Sequence, residues 1–335
     1  MNQSNEKPYH LPKDAVWFIT GCSSGIGQSL ALLIAKSTNR IVATARNPAS
    51  LSAIPDGANV LKLALDVTST SSIEAALSET LTKFGRIDVV VNNAGYTLVG
   101  DTEAAGDEES RALFDTNFWG MVDVAKKALG IMRDQNAKDD GQQGGVILNV
   151  SSMGGFMGFP GSSFYHASKF AMEGWTEAVA KELPVEWNSK LTLDNVTPIF
   201  SVQHTDAQNY PVHLSNIEPG GVKTNYATSS LKKMAEGRHP AYSDPTYPTN
   251  ALLGYMGKEE NRSSWAEPDA IAAAMYRLVS RGQRIPIRVP LGADAYGMIT
   301  MDIDSIKKDL DELKEISLGV GEVKQLESIN FLKKA

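Results

Sequence analysis

The chain has one cysteine, Cys22, among 335 residues. That excludes an intramolecular disulfide and suits a reducing, cytoplasmic setting. Its five histidines show no metal-ligand spacing and there is no CxxC pair, so no metal site is expected. Nowhere do about eighteen apolar residues run together, so no membrane span is expected. Met1–Pro12 is polar and lacks the apolar core of a secretory signal. Basic residues are outnumbered, 32 against 39 acidic, for a net charge of −7. Nucleic acid is therefore not an expected partner, because phosphate backbones need clustered Lys and Arg. A small anionic cofactor in a locally positive pocket stays open.

What is present is an alternation of strands and helices. The strand candidates are Ala15–Thr20, Arg40–Ala45, Val60–Val67, Ile87–Asn92, Gly145–Val150, Val212–Ile217 and Ile285–Pro290. They are apolar at most positions rather than strictly alternating, the pattern of strands buried on both faces in a parallel sheet. Helical periodicity fills Gly25–Ser37, Thr70–Phe84, Phe114–Arg133, Phe164–Leu183, Glu267–Arg281 and Asp302–Leu313. The expected fold is α/β, a single doubly wound domain around a seven-stranded parallel sheet. Two segments break the rhythm. Asp134–Gly144 is polar and reads as an exposed loop, and Glu186–Pro211 is longer than a helix-to-strand connection needs, with Leu191–Phe200 as a hairpin or edge-strand candidate.

The first strand runs into Thr20-Gly21-Cys22-Ser23-Ser24-Gly25-Ile26-Gly27 and then a helix. Glycines there let the backbone approach a pyrophosphate, while the helix start offers free N–H groups and a positive dipole end. Further along stand Asp66-Val67, then Asn92-Asn93-Ala94-Gly95, then Asn117, then Ser151-Ser152. Tyr165-His166-Ala167-Ser168-Lys169 and Pro219-Gly220-Gly221-Val222-Lys223-Thr224 complete the series. In this order the motifs resemble those of the short-chain dehydrogenase/reductase family, with TGxxxGxG, NNAG, YxASK and PG…T, over about Lys13 to Pro290. Gly154–Gly174 looks most like the branch holding 17β-hydroxysteroid and retinol dehydrogenases.

The resemblance implies a Rossmann domain over residues 13–300, preceded by a polar tail (1–12) and followed by a helical extension (301–335). It implies a nicotinamide cofactor held by Gly21, Ser23, Ser24, Gly25, Ile26, Gly27, Asp66, Val67, Asn93, Ala94, Gly95, Tyr165, Lys169, Pro219, Gly220, Val222 and Thr224. Asp66 would contact adenine and Lys169 the nicotinamide ribose. Four residues would form the catalytic set: Tyr165 as general acid, Lys169 beside it, Ser152 on the substrate oxygen and Asn117 positioning a water. The chemistry fits these residue types. A phenol has a pKa of roughly 10, and a nearby ammonium favours its ionised form. Lys169, four residues on, lies one helical turn away on the same face. Cys22 and His166 read as structural, and Trp119 and Trp175 as core or subunit interface.

The second strand ends in Thr44-Ala45-Arg46-Asn47, with no acidic residue to accept from a ribose 2′-OH. Arg46 can instead pair with a 2′-phosphate, so NADP(H) is the expected cofactor. Asn225–Ser264 reads as a substrate lid, with Tyr226, Met234, Tyr242, Tyr247, Leu252, Leu253, Tyr255 and Met256 suiting an apolar substrate. Residues 188–211 depart from the family pattern. They form a functional flap or oligomer contact, or else an unspliced intron, because Asn188-Ser189-Lys190 can span a GTAAGT splice donor and Asp206-Ala207-Gln208 can end in CAG. The expected function is reduction of a ketone or aldehyde by a homodimer or homotetramer. Alcohol oxidation by the same residues and an NADP(H)-sensing regulatory role are the alternatives.

Overall fold

The computed structural model describes residues 3–134, 136, 144–183, 212–224, 231–234 and 239–329. Residues 188–211, with the Leu191–Phe200 hairpin candidate, most of the Asp134–Gly144 loop and Tyr226 of the lid lie outside these.

Seven strands form the main sheet: β1 (Val16–Ile19), β2 (Arg40–Ala45), β3 (Val60–Ala64), β4 (Val89–Asn92), β6 (Gly145–Val150), β7 (Val212–Pro219) and β9 (Arg288–Leu291). Their order is β3-β2-β1-β4-β6-β7-β9 and every pairing is parallel. Two short strands, β5 (Thr97–Val99) and β8 (Leu231–Lys233), pair separately. The helices are α1 (Gln3–Glu6), α2 (Gly25–Ala35), α3 (Thr70–Phe84), α4 (Asp107–Phe114), α5 (Gly120–Asp134), α6 (Ser163–Glu182), α7 (Pro248–Gly257), α8 (Glu259–Arg262), α9 (Pro268–Ser280), α10 (Ala293–Glu312), α11 (Lys314–Leu318) and α12 (Val323–Ser328).

Alternation along a strand sends successive side chains to opposite faces. Trp17 and Ile19 join Leu30 and Ile34 of α2 and Met275 of α9 in one layer. Val16 and Phe18 join Ile73 of α3, Val124 of α5 and Met172 of α6 in the other. The chain changes direction between β1 and β4, and that switch opens a crevice at the carboxyl ends of the strands.

Several boundaries differ from the sequence expectation for local reasons. Ile87 is held outside β4 because Asn136 takes both of its backbone groups, Nδ2 donating to the carbonyl at 2.7 Å and Oδ1 accepting from the N–H at 3.2 Å. β9 starts at Arg288 rather than Ile285, since Pro286 has no N–H to place in a ladder. The last long helix starts at Ala293, nine residues before the expected Asp302, directly after Gly292 at φ 120. The stretch read as a polar tail is packed. Asn5 donates from Nδ2 to Leu214 and Ile285 carbonyls at 2.7 Å each, and Tyr9 is buried.

His213 on β7 is fully buried beside Tyr9, and neither ring nitrogen has a hydrogen-bond partner among the described residues. Burial pushes its pKa down to about 4. A histidine depressed in the fold contributes stability that is lost as pH falls from its ordinary value near 6.5 through 4. His213→Leu removes that loss and two unmet polar atoms, so its melting temperature should exceed wild type most at pH 4–5. A variant melting below wild type there contradicts this account.

Candidate active site

The crevice opens into a cavity of about 820 Å³. Its floor is the turn between β1 and α2. Gly21 (φ 72) and Gly25 (φ 60) lie in the left-handed region that favours glycine. At Gly27 a Cβ would stand 2.5 Å from both the Gly21 carbonyl and Asn93 Nδ2. Asn93 ties this turn to the end of β4, its Nδ2 donating to the carbonyls of Thr20 (3.0 Å) and Gly21 (2.9 Å). Thr20 Oγ1 in turn accepts from the N–H groups of Asn93 and Ala94 at 3.0 Å each. Ser24 caps α2 without a side-chain hydrogen bond, so the first N–H groups of the helix are not met by a cap side chain, and Ser24 and Ile26 line the cavity. Backbone N–H groups at a glycine turn and helix start together favour an anion such as a phosphate.

On one side of the turn, exposed Arg46 lines the cavity after β2. Asp66 and Val67 follow β3. The Asp66 carboxylate accepts from Thr68 N–H (3.0 Å) and Oγ1 (2.8 Å), and these bonds hold its pKa below the usual range. On the other side stand Tyr165 and Lys169 of α6, both buried, with Lys169 Nζ 5.7 Å from the Tyr165 ring centre. Nζ donates to the Val150 carbonyl at 2.8 Å. Burial pushes the Lys169 pKa down to about 8, against the pull of Glu173.

Ser152, two residues past β6, caps a short 3₁₀ turn (Met153–Gly155), its Oγ accepting from Gly154 N–H at 3.0 Å. A hydroxyl that accepts in this way keeps its proton for an oxygen in the cavity. Ser151 also lines the cavity, but its Oγ is buried toward Glu173: a Cβ on Gly155 would meet Ser151 Oγ at 2.4 Å and Glu173 Oε1 at 3.1 Å.

Of the expected site residues, Gly21, Ser23, Ser24, Ile26, Arg46, Asp66, Val67, Asn93, Ala94, Gly95, Ser152, Tyr165, Lys169, Pro219, Gly220, Val222 and Thr224 all line this cavity. Gly25, Gly27 and Asn117 do not. The two glycines shape the turn from beneath. Asn117 is buried in a one-turn π-helix (Asp115–Trp119) between α4 and α5, a distortion frequent at functional sites. Its amide clamps the Tyr96 backbone, Oδ1 accepting from the N–H (3.0 Å) and Nδ2 donating to the carbonyl (2.9 Å). A Cβ on Gly95 would lie 3.0 Å from Asn117 Oδ1 and 3.8 Å from Lys169 Nζ, so Asn117 stands behind the Lys169 end of the site.

A family model for short chain dehydrogenases matches residues 15–208. The chain belongs to this family. It is 42% identical over 322 residues to the Oxidoreductase calM of Penicillium decumbens, covering 95% of this chain and 96% of that protein. A protein of Bacteroides thetaiotaomicron named 3-ketodihydrosphingosine reductase is 30% identical over 276 residues, covering 82% of this chain and 86% of that one. The crystal structure of a short-chain dehydrogenase from Streptomyces avermitilis superposes with a TM-score of 0.72 at 28% identity, covering 92% of this chain and 100% of that one. The chain is thus an oxidoreductase of the short-chain type. Among the described residues no helix is long and apolar enough to cross a membrane, and no cluster of potential metal ligands occurs.

In this dehydrogenase the outer wall of the cavity includes residues that motif spacing does not reach. Leu252, Tyr255 and Met256 of α7 line it, whereas Tyr242, Tyr247 and Leu253 do not, and Met234 is buried beneath Tyr165 with Leu98 and Leu113. Trp265 packs against Gly221, and Asp294 Oδ2 accepts from Gly221 N–H at 2.7 Å, fixing the turn after β7. The one signal for Asp294 was its place just after the last strand. His166 lines the cavity too; its Nδ1 meets the Gly154 carbonyl at 2.9 Å and burial lowers its pKa. Cys22 is buried and its thiol is pushed up to about 12, so its side chain packs rather than reacts.

Proposed function

We propose that the chain reduces a ketone or aldehyde on a fairly apolar small molecule, with NADPH as hydride donor, in the cytoplasm. The observation that carries this reading is the shared cavity: Tyr165 and Lys169 side by side on one wall, the glycine turn and Arg46 on the other. The residues fit a dinucleotide. The close Gly27 contacts leave backbone where a side chain would intrude, the uncapped start of α2 suits a pyrophosphate, and no carboxylate ends β2. The turn and α2 would hold the diphosphate, Asp66 and Val67 the adenine, and Arg46 the 2′-phosphate. When bound, the reduced nicotinamide supplies the hydride.

The chain's own groups handle the oxygen. Ser152 donates a hydrogen bond to the carbonyl oxygen, and Tyr165 passes its phenolic proton to that oxygen as negative charge develops. Lys169 stabilises the phenolate left behind, each unit of lowered pKa being worth about 1.4 kcal/mol. Asn117 holds the Tyr96 loop and the back of the Lys169 pocket. Leu252, Tyr255, Met256 and Trp265 favour an apolar substrate body. The name of the Bacteroides relative, a ketone reductase, supports the direction.

A screen of NADPH oxidation across ketones and aldehydes of increasing apolar bulk tests the activity; turnover with none of them overturns it. The cofactor choice is tested separately. Arg46→Asp exchanges a charge-assisted bond for repulsion and should lower the NADPH-to-NADH ratio of kcat/KM roughly 10- to 100-fold. An unchanged ratio sinks the assignment.

A further inference from the structure

From Met301 to Glu322 every side chain except Asp302 is exposed, although residues 293–312 form a regular helix. The exposure is not that of a polar helix. Tyr296, Ile299, Ile303, Ile306, Leu310 and Leu313 follow one another at steps of three, four, three, four and three. This is the heptad spacing that lays one apolar seam along a helix. Ile299 docks on the body of the protein (7% exposed), whereas Tyr296, Ile303, Ile306, Leu310 and Leu313 are 67, 49, 47, 64 and 50% exposed. Charge is sorted across the seam. Lys307 of α10 and Lys314, which opens α11 directly after the Leu313 cap, stand on one side of it, and Asp302 and Asp309 on the other. Helical hydrogen bonds from Leu313 N–H to Asp309 and from Ser317 N–H to Leu313 run through the junction.

That sorting selects the occupant. In a parallel pair of helices the residue before every second seam position (here before Ile303 and Leu310) meets the residue five places on in the partner helix. For two copies of this chain, Asp302 would then face Lys307 of the other copy, and Asp309 would face Lys314. An antiparallel pair would set Lys against Lys and Asp against Asp, which repels. We propose that α10 is an interaction surface for a second copy of this chain, pairing in parallel about a two-fold axis that runs along the helix. The seam is distinct from the two long helices of the domain, here Gly120–Asp134 and Ser163–Glu182. Asp294 and Met298 at the start of α10 line the cavity, and Ile299 already docks on the body, so the continuous run free for a partner begins at Ile303.

The native thiol is buried, which allows a clean test on the full chain. Ile306→Cys places a thiol on the seam, and Lys308→Cys places one on the outer face two residues away. A short bismaleimide should join Ile306→Cys copies at least tenfold more efficiently than Lys308→Cys copies; equal joining overturns the proposal. Charge reversal tests orientation. In the Ile306→Cys background, Asp302→Lys with Asp309→Lys should lose joining, as should Lys307→Glu with Lys314→Glu. Mixing the two variants should restore it as a heterodimer. A mixture that joins no better than either variant alone rules out parallel pairing, and far-ultraviolet circular dichroism confirms that each variant is folded.

Discussion

Tyr165→Phe is expected to lower kcat in the reducing direction by roughly 10²- to 10⁴-fold, the usual worth of a positioned general acid. The binding of NADPH should hardly change. The substitution removes one oxygen and leaves the ring that packs with Leu98, Leu113 and Met234. The glycine turn, Arg46 and the start of α2 are untouched. Lys169→Ala should differ from it, because the proposed function gives Nζ a part in both the phenol chemistry and cofactor binding: kcat falls and NADPH binding weakens together.

The pH profile separates these roles further. With its pKa lowered to about 8 by burial, Lys169 loses its proton as pH rises through 8. The cation beside Tyr165 is then gone, so wild-type kcat should fall on that alkaline limb. The residual activity of Tyr165→Phe should lack the limb, because there is no phenolate left to stabilise. Stopped-flow hydride transfer and cofactor titration by fluorescence measure the two quantities. A Phe variant with wild-type kcat, or one that no longer binds NADPH, would remove Tyr165 from its place as proton donor.

The strands and the proposed catalytic pair are legible because each is a local pattern. Val89–Val91 and Val146–Leu148 are short unbroken apolar runs, the pattern of strands in a sheet buried on both faces. Tyr165 and Lys169 are one turn apart on any helix, wherever that helix packs. Contacts made by folding left no such trace. Asn136 holds Ile87 from 49 residues away, and Asp294 fixes the Gly221 turn from 73. The packing of Asn5 against Leu214 and Ile285 likewise ties down a segment that looks polar and loose in one dimension. Ile303, Ile306 and Leu310 were read as a helix, but their exposure follows from where α10 leaves the body. Behind Lys169, Glu173 gave no sequence signal at all, since a glutamate one turn further along a helix is ordinarily a solvated residue.

Glu173→Gln is expected to stabilise the protein at alkaline pH and to be nearly neutral at pH 5. Glu173 is 2% exposed, and the groups around it come from α6, β7 and β9, with the Ser151 hydroxyl beside it just after β6. Lys169 and Glu177 share α6 with it, Asn216 and Glu218 reach it from β7, and Arg288 reaches it from β9. Arg288 Nη1 donates to Glu173 Oε2 at 2.7 Å and to Glu218 Oε1 at 3.3 Å, while Asn216 Nδ2 donates to Glu173 Oε2. One guanidinium thus stands between two buried carboxylates. Burial first, and then the charge of Glu218, push the Glu173 pKa up to about 8, and Glu218 is raised as well. A carboxyl raised in the fold binds its proton more tightly there than in the unfolded chain. Its contribution is therefore complete below the ordinary value near 4.5 and is lost as pH climbs through about 8, at up to about 1.4 kcal/mol per pH unit. Gln keeps the shape, an oxygen for Arg288 and no charge, so it copies the protonated acid and escapes that loss. The melting-temperature difference, variant minus wild type, should grow steadily between pH 5 and pH 8.5. A difference that stays flat across the range, or turns negative at the alkaline end, would show that the ionised pair with Arg288 stabilises this core more than burial of its charge opposes it.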